Sequence, residues 1–121
     1  WRPYEGISVE TVIVPTRHGH IRKHIIESDR ECEACDCGFA VEIDVPGEKL
    51  AEEDNKAWVE NGYSICQAIA VQGDGRGEII IADPNTNLLH PMTRIPAVRY
   101  RIHKGRNEIV TEVKAGYHHT W

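Results

Sequence analysis

Along most of this chain apolar and polar positions exchange every second residue, the period of a β-strand and not of a helix. Residues 8–14 (SVETVIV) set Val9, Thr11 and Ile13 against Glu10, Val12 and Val14, and Pro15, which cannot donate to a ladder, ends the run. Residues 20–26 (HIRKHII) follow Gly19. Residues 38–44 (GFAVEID) put Phe39, Val41 and Ile43 on one face and Ala40, Glu42 and Asp44 on the other, before a Pro46-Gly47 turn. Residues 63–71 predict a buried strand, residues 73–77 a hairpin turn, and residues 78–82 the strand that pairs back from it. Two further strands close the chain. In residues 97–102 Val98, Tyr100 and Ile102 oppose Arg99 and Arg101. In residues 108–114 Ile109, Thr111 and Val113 oppose Val110, Glu112 and Lys114, and Lys104-Gly105-Arg106-Asn107 turns between the two.

Two stretches break the pattern. Residues 48–61 (EKLAEEDNKAWVEN) are the best helical candidate, yet Leu50, Ala51, Ala57, Trp58 and Val59 hold no helical stripe. The stretch reads as an excursion loop with a turn of helix at most. Residues 83–96 (DPNTNLLHPMTRIP) carry three prolines and two asparagines beside Leu88, Leu89, Met92 and Ile95, which predicts a loop packed down on the domain. The sum is a mainly β protein: a single domain over residues 1–121, an antiparallel β-sandwich of about seven strands.

Composition narrows this further. Apolar residues make up 40% and charged residues 27% of 121 positions, enough for one folded core and too apolar for a disordered chain. No apolar run reaches the length of a membrane span. The chain opens on Trp1 without a charged-then-apolar leader, and the expectation is a domain of a larger protein whose native start lies upstream. Net charge is −5, with acidic residues concentrated between Glu27 and Glu60, which argues against nucleic acid as a partner. Four cysteines are present, and Cys32, Cys35 and Cys37 are too close together for a spread disulfide framework. A soluble protein of a reducing, cytoplasmic compartment is expected.

Three groups of residues could carry chemistry. On a strand, His20, Arg22 and His24 project from one face while Ile21, Lys23 and Ile25 take the other. Such a row is costly to bury unpaired, so it faces water, an acidic neighbour, a metal or an anionic ligand. Arg offers a planar fork for a carboxylate, and His exchanges protons near neutral pH. Cys32, Cys35 and Cys37 include a Cys-x-x-Cys bite that zinc accepts, with a histidine or Cys66 to complete it. Against that, Glu31, Glu33 and Asp36 raise thiol pKa values, a second knuckle is missing, and free cysteine also serves as a small apolar residue; no cofactor is the first expectation and zinc the alternative. Asn85, Thr86 and Asn87 suit turn hydrogen bonding, and such a loop can still present Asn87 or His90 to a ligand. These residues by themselves identify no reaction.

The ordered set His20-Ile21-Arg22-Lys23-His24, Gly38-Phe39-Ala40-Val41, residues 83–89 (DPNTNLL) and Pro91-x-Thr93-x-Ile95-Pro96 resembles the C-terminal part of the domain-of-unknown-function 2264 family. The likeness spans roughly residues 1–113. The resemblance implies a two-part carbohydrate-active enzyme of glycoside hydrolase or polysaccharide lyase type. In it an N-terminal α/α toroid holds most catalytic residues, and a C-terminal β domain lies beside the cleft. It implies a substrate-binding role for His20, Arg22, His24, Asn85 and Asn87 toward an acidic, uronic-acid-containing glycan. Cys35-Asp36-Cys37 stands where the family has a glycine-rich step, and residues 48–61 lack a clear counterpart. The expected role is an accessory β domain that is not catalytic alone. A structural domain that joins homo-oligomers through its strand edges is a further option.

Overall fold

A computed structural model describes residues 4–42, 49–61, 63–81 and 93–117. Within them the chain forms ten strands and no helix: β1 (Ile7–Pro15), β2 (Gly19–Ser28), β3 (Cys32–Cys37), β4 (Val41–Glu42), β5 (Lys49–Glu52), β6 (Lys56–Glu60), β7 (Ser64–Gln72), β8 (Gly75–Ile81), β9 (Thr93–Ile102) and β10 (Gly105–Tyr117). Six make one antiparallel sheet in the order β1-β2-β10-β7-β6-β5. In the second sheet β9 is central, with β8 along one side and β3 and then β4 along the other. The mainly β, antiparallel two-sheet reading holds. The strand count is higher than about seven, for two physical reasons.

Within residues 48–61, the described residues 49–61 are not an excursion loop with a helical turn. They supply the hairpin β5–β6, in which Leu50 opposes Val59 and Ala51 opposes Trp58. Ala57 and Val59 are fully buried, so alternate apolar positions of β6 enter the core, while the charged residues of β5 belong to an edge strand. The charge that reads as loop is what an exposed sheet edge carries. The other addition is β3, whose Cys-Glu-Ala-Cys-Asp-Cys composition has little strand propensity; its pairing with β9 orders it.

Two further expectations change. Residues 73–77 do not close a hairpin: β7 lies in the larger sheet and β8 crosses to the smaller one, pairing with β9. Gly73, at φ +113, makes the sharp change of direction beside the Tyr100 ring. Residues 93–96 are not loop but the start of β9, and Pro96 is a buried member of this central strand. Its carbonyl accepts from Gly38 N at 2.7 Å, in the gap between β3 and β4. In an extended residue the N–H lies on the same side as the carbonyl, so the hydrogen Pro96 lacks faces that gap and no ladder bond is lost.

The layers meet over Ala68, Val98, Tyr100, Ile102, Ile109 and Val113, all buried, with Val9, Cys32 and Ala34 packed around them. A smaller cluster of Val41, Val59 and Cys66 fills one end. The sheets approach closely where β8 crosses β6: a Cβ on Gly77 would collide with the Lys56 carbonyl.

Candidate functional site

The register of β2 sets the site. Ile109 opposes His24, Thr111 opposes Arg22 and Val113 opposes His20, and these β10 partners are all buried. Residues directly opposite in an antiparallel ladder share a face, so His20, Arg22 and His24 point into the space between the sheets. Ile21, Lys23 and Ile25 face outward. The row therefore has one common direction, as pleat geometry requires, and its partner is acidic: Asp36 of β3.

Arg22 Nη1 donates to Asp36 Oδ1 at 2.8 Å and to the Cys37 carbonyl at 2.7 Å. His24 Nε2 lies 3.1 Å from Asp36 Oδ2, and its Nδ1 lies 2.8 Å from the Thr11 hydroxyl. Burial pushes the Asp36 carboxyl up, but hydrogen bonds from His24, Thr111 and Arg22, with the charge of His24, outweigh it and hold the pKa at about 2. The carboxylate is thus ionised and accepts only, which assigns the protons around it. His24 donates through Nε2 and Thr111 donates its hydroxyl proton. Tyr100, 2.6 Å from Thr111 Oγ1, donates in turn to Thr111 and shares that proton with the Val110 carbonyl at 3.1 Å. Burial raises the Tyr100 phenol to about 12, so it stays a donor across the physiological range.

At the other end of the row, Arg22 Nε donates to His20 Nε2 at 2.7 Å. An imidazole nitrogen that accepts carries no proton, so His20 is the neutral tautomer protonated at Nδ1. Its pKa is lowered, first by burial and then by the Arg22 charge, against an opposing pull from Asp36. The His20 ring stands edge-on to Phe39, with centroids 5.8 Å apart and planes at 85°. Phe39 in turn walls an open concavity of about 520 Å³. Its other described lining residues include Val41, Asn61, Ser64, Cys66 and Ala115. Asn61 is shaped for structure: its Oδ1 accepts from the backbone N–H of Tyr63 and Ser64.

Chemically, the row is a polar spine with two ends. The inner end is a closed network that neutralises Arg22 with Asp36. The outer end presents a neutral donor, His20 Nδ1–H, beside an aromatic face.

The cysteines do not converge. Cys32 pairs with Ile102 and faces the core, where its thiol lies 3.9 Å from Ser28 Oγ; Cys35 and Cys37, of opposite parity on β3, face away from it. Cys66 is buried in β7, and burial pushes its thiol up to about 11. The Cys35 thiol is also raised to about 11, by burial and by Cys37. All four are free thiols, and among the described residues no three His, Cys, Asp or Glu side chains gather as metal ligands would. Asn85, Asn87 and His90 lie outside the described residues. Among the described residues no helix is long and apolar enough to cross a membrane.

Asp36, Thr111 and Tyr100 were not singled out as site residues in the sequence. Thr111 and Tyr100 do appear there on the apolar faces of their strands, as polar members of otherwise apolar rows, and that was the available signal. Asp36 had none, because its strand lacks a pattern of its own.

These features define a two-sheet antiparallel β domain with a polar spine between its layers. The chain belongs to the DUF2264 C-terminal domain family, whose model matches residues 1–119. Neither a curated protein nor a solved structure matches it.

Proposed function

We propose that this is the accessory β domain of a carbohydrate-active enzyme, and that it lends polar and aromatic contacts to a cleft for a uronic-acid-containing glycan. The catalytic residues belong to an α/α toroid packed beside it. The observation that carries the reading is the outer end of the spine: a neutral His20 whose Nδ1–H is oriented by Arg22, next to half-exposed Phe39 at the wall of the 520 Å³ concavity. An apolar ring with a few oriented polar groups in a concave surface suits small polar ligands such as sugars. Arg22 acts here as a positioning residue. Its Nη1 and Nε are committed to Asp36, the Cys37 carbonyl and His20, which leaves His20 Nδ1–H, with Arg22 Nη2 beside it, to contact a sugar hydroxyl or carboxylate.

The test is titration of the 121-residue chain with a glucuronate-containing oligosaccharide, followed by NMR. Saturable shifts at His20 and Phe39 are expected, with Phe39→Ala weakening binding roughly tenfold, a loss of about 1.4 kcal/mol. Absence of saturable shifts up to millimolar ligand would sink the reading.

A further inference from the structure

The larger sheet ends on β1, and the second half of that strand is unusual for an edge. Val12, Ile13 and Val14 are 56%, 58% and 52% exposed, so three consecutive aliphatic residues stand in water without a charge among them. Natural sheets blunt their edges with charge, bulges or covering segments, because an open edge templates further pairing. Here β1 pairs with β2 from Ile7 to Pro15 without a register shift, so no bulge turns the edge away.

The backbone shows which groups are open. Flanking β1, the Gly6 carbonyl accepts from Asp29 N and Thr16 N donates to the Gly19 carbonyl, each at 3.0 Å. Groups facing a given neighbour alternate along an antiparallel strand. Even-numbered positions of β1 therefore bond to β2, while Thr11, Ile13 and Pro15 direct their backbone groups outward. Pro15 stands where its missing N–H faces outward and costs no bond to β2. Further back the edge is spoken for, since Ile7 N already donates to the Tyr4 carbonyl at 3.1 Å.

We propose that residues 11–15 of β1 are a self-association edge: two copies of the chain join antiparallel about a two-fold axis at Ile13, running one six-stranded sheet into the other. This register follows from the residues themselves. Centred on Ile13, it sets Ile13 against its own copy and Val12 against Val14 twice, with no charge opposed. Ile13 exchanges both bonds with its mate, and Thr11 N donates to the Pro15 carbonyl at each end; the return bond to the Thr11 carbonyl, which Pro15 cannot donate, is left to water at the two ends of the short ladder. The same register brings the Glu10 end of one strand beside the turn that carries Arg17 in the other copy, and these charges are opposite. Centring on Thr11 instead would lay Glu10 against Val12 and would need the Ile7 N–H already used by Tyr4. Five residues per copy bury less than the roughly 1,200 Å² of a standard interface, so the dimer is a dissociating one.

Sedimentation velocity of the chain from about 10 μM to about 1 mM tests this. The weight-average mass is expected to climb toward twice the monomer's, and Ile13→Lys, which places two ammonium groups at the axis, should hold it at the monomer value. In case Ile13→Lys impairs folding, Ile13→Cys and Thr11→Cys in a Cys35→Ser background report the register directly. Only Ile13→Cys meets its own copy within disulfide reach, and it should cross-link at least tenfold faster under mild oxidation. A monomer throughout the concentration range overturns the proposal, as does equal or faster cross-linking of Thr11→Cys. Glycan binding at the His20 end is measured separately and stands or falls on its own.

Discussion

The space between the two sheets is filled in two ways. Beneath β7 and β10, Ala68, Val98, Ile102, Ile109 and Val113 meet as a dry apolar cluster. Beneath β2, one pleat away, Arg22, His24 and Asp36 meet as ions and hydrogen-bonding groups, with side chains only 21%, 17% and 12% exposed. The apolar half needs volume and shape alone, and it loses stability in proportion to what is removed. The polar half needs every partner present, because a charge left unpaired in a nearly dry layer costs more than the intact pair contributes. The same layer therefore combines a tolerant half with an exacting one.

The largest expected break of that contrast is Asp36→Ala. It strands Arg22 and His24, and urea unfolding should show a loss of about 3–5 kcal/mol. The combined variant Arg22→Met, His24→Leu, Asp36→Leu turns the polar half into a copy of the apolar one and should recover most of that loss. Failure of the triple variant to exceed Asp36→Ala would mean that the polar half is held for its shape and not for its charge balance.

A second effect is set by pH. The folded-state pKa of Asp36, about 2, lies below its ordinary 3.8, so its contribution is fully present above 3.8 and disappears as pH falls toward 2. The difference of nearly two units corresponds to about 2–3 kcal/mol. Unfolding free energy measured through that window should drop by at least this amount in the native chain. In Asp36→Asn the decline should be smaller by this amount, the remainder belonging to other carboxyls such as Glu108, whose pKa the Arg106 hydrogen bond lowers.

The smallest effect sharpens the junction between the halves. Tyr100→Phe removes the phenol that donates to Thr111 yet keeps the ring that fills the apolar cluster. A loss of about 1 kcal/mol is expected, read from the urea midpoint at constant slope. A cost of several kcal/mol would place the phenol inside the Asp36 network and not at its edge.

Much of this was legible in the residues. Period-two alternation located β1, β9 and β10, the apolar run and turn residues around Gly73–Gly77 located β7 and β8, and pleat geometry on β2 set His20, Arg22 and His24 on one face. The hairpin β5–β6 was not legible, because the charged edge strand β5 resembles a polar loop and β6 is too short, with Ala57 and Val59 its only core-facing apolar pair, to show a pattern of its own. The destination of β8 was not legible either. Its turn composition predicts a reversal, while the sheet that receives the strand depends on Gly77 fitting beneath the Lys56 carbonyl.

By itself the sequence determined that the chain is a β protein, where most of its strands lie, and that three polar side chains would leave one strand together. These are local properties, written in the two-residue pleat. Only the tertiary structure decided that the row turns inward and not to solvent, that Asp36 meets it, and that Arg22 fixes the proton of His20. Those facts depend on which strand of the other sheet lies opposite. That pairing is chosen by burial summed over the whole molecule, and no local spacing records it.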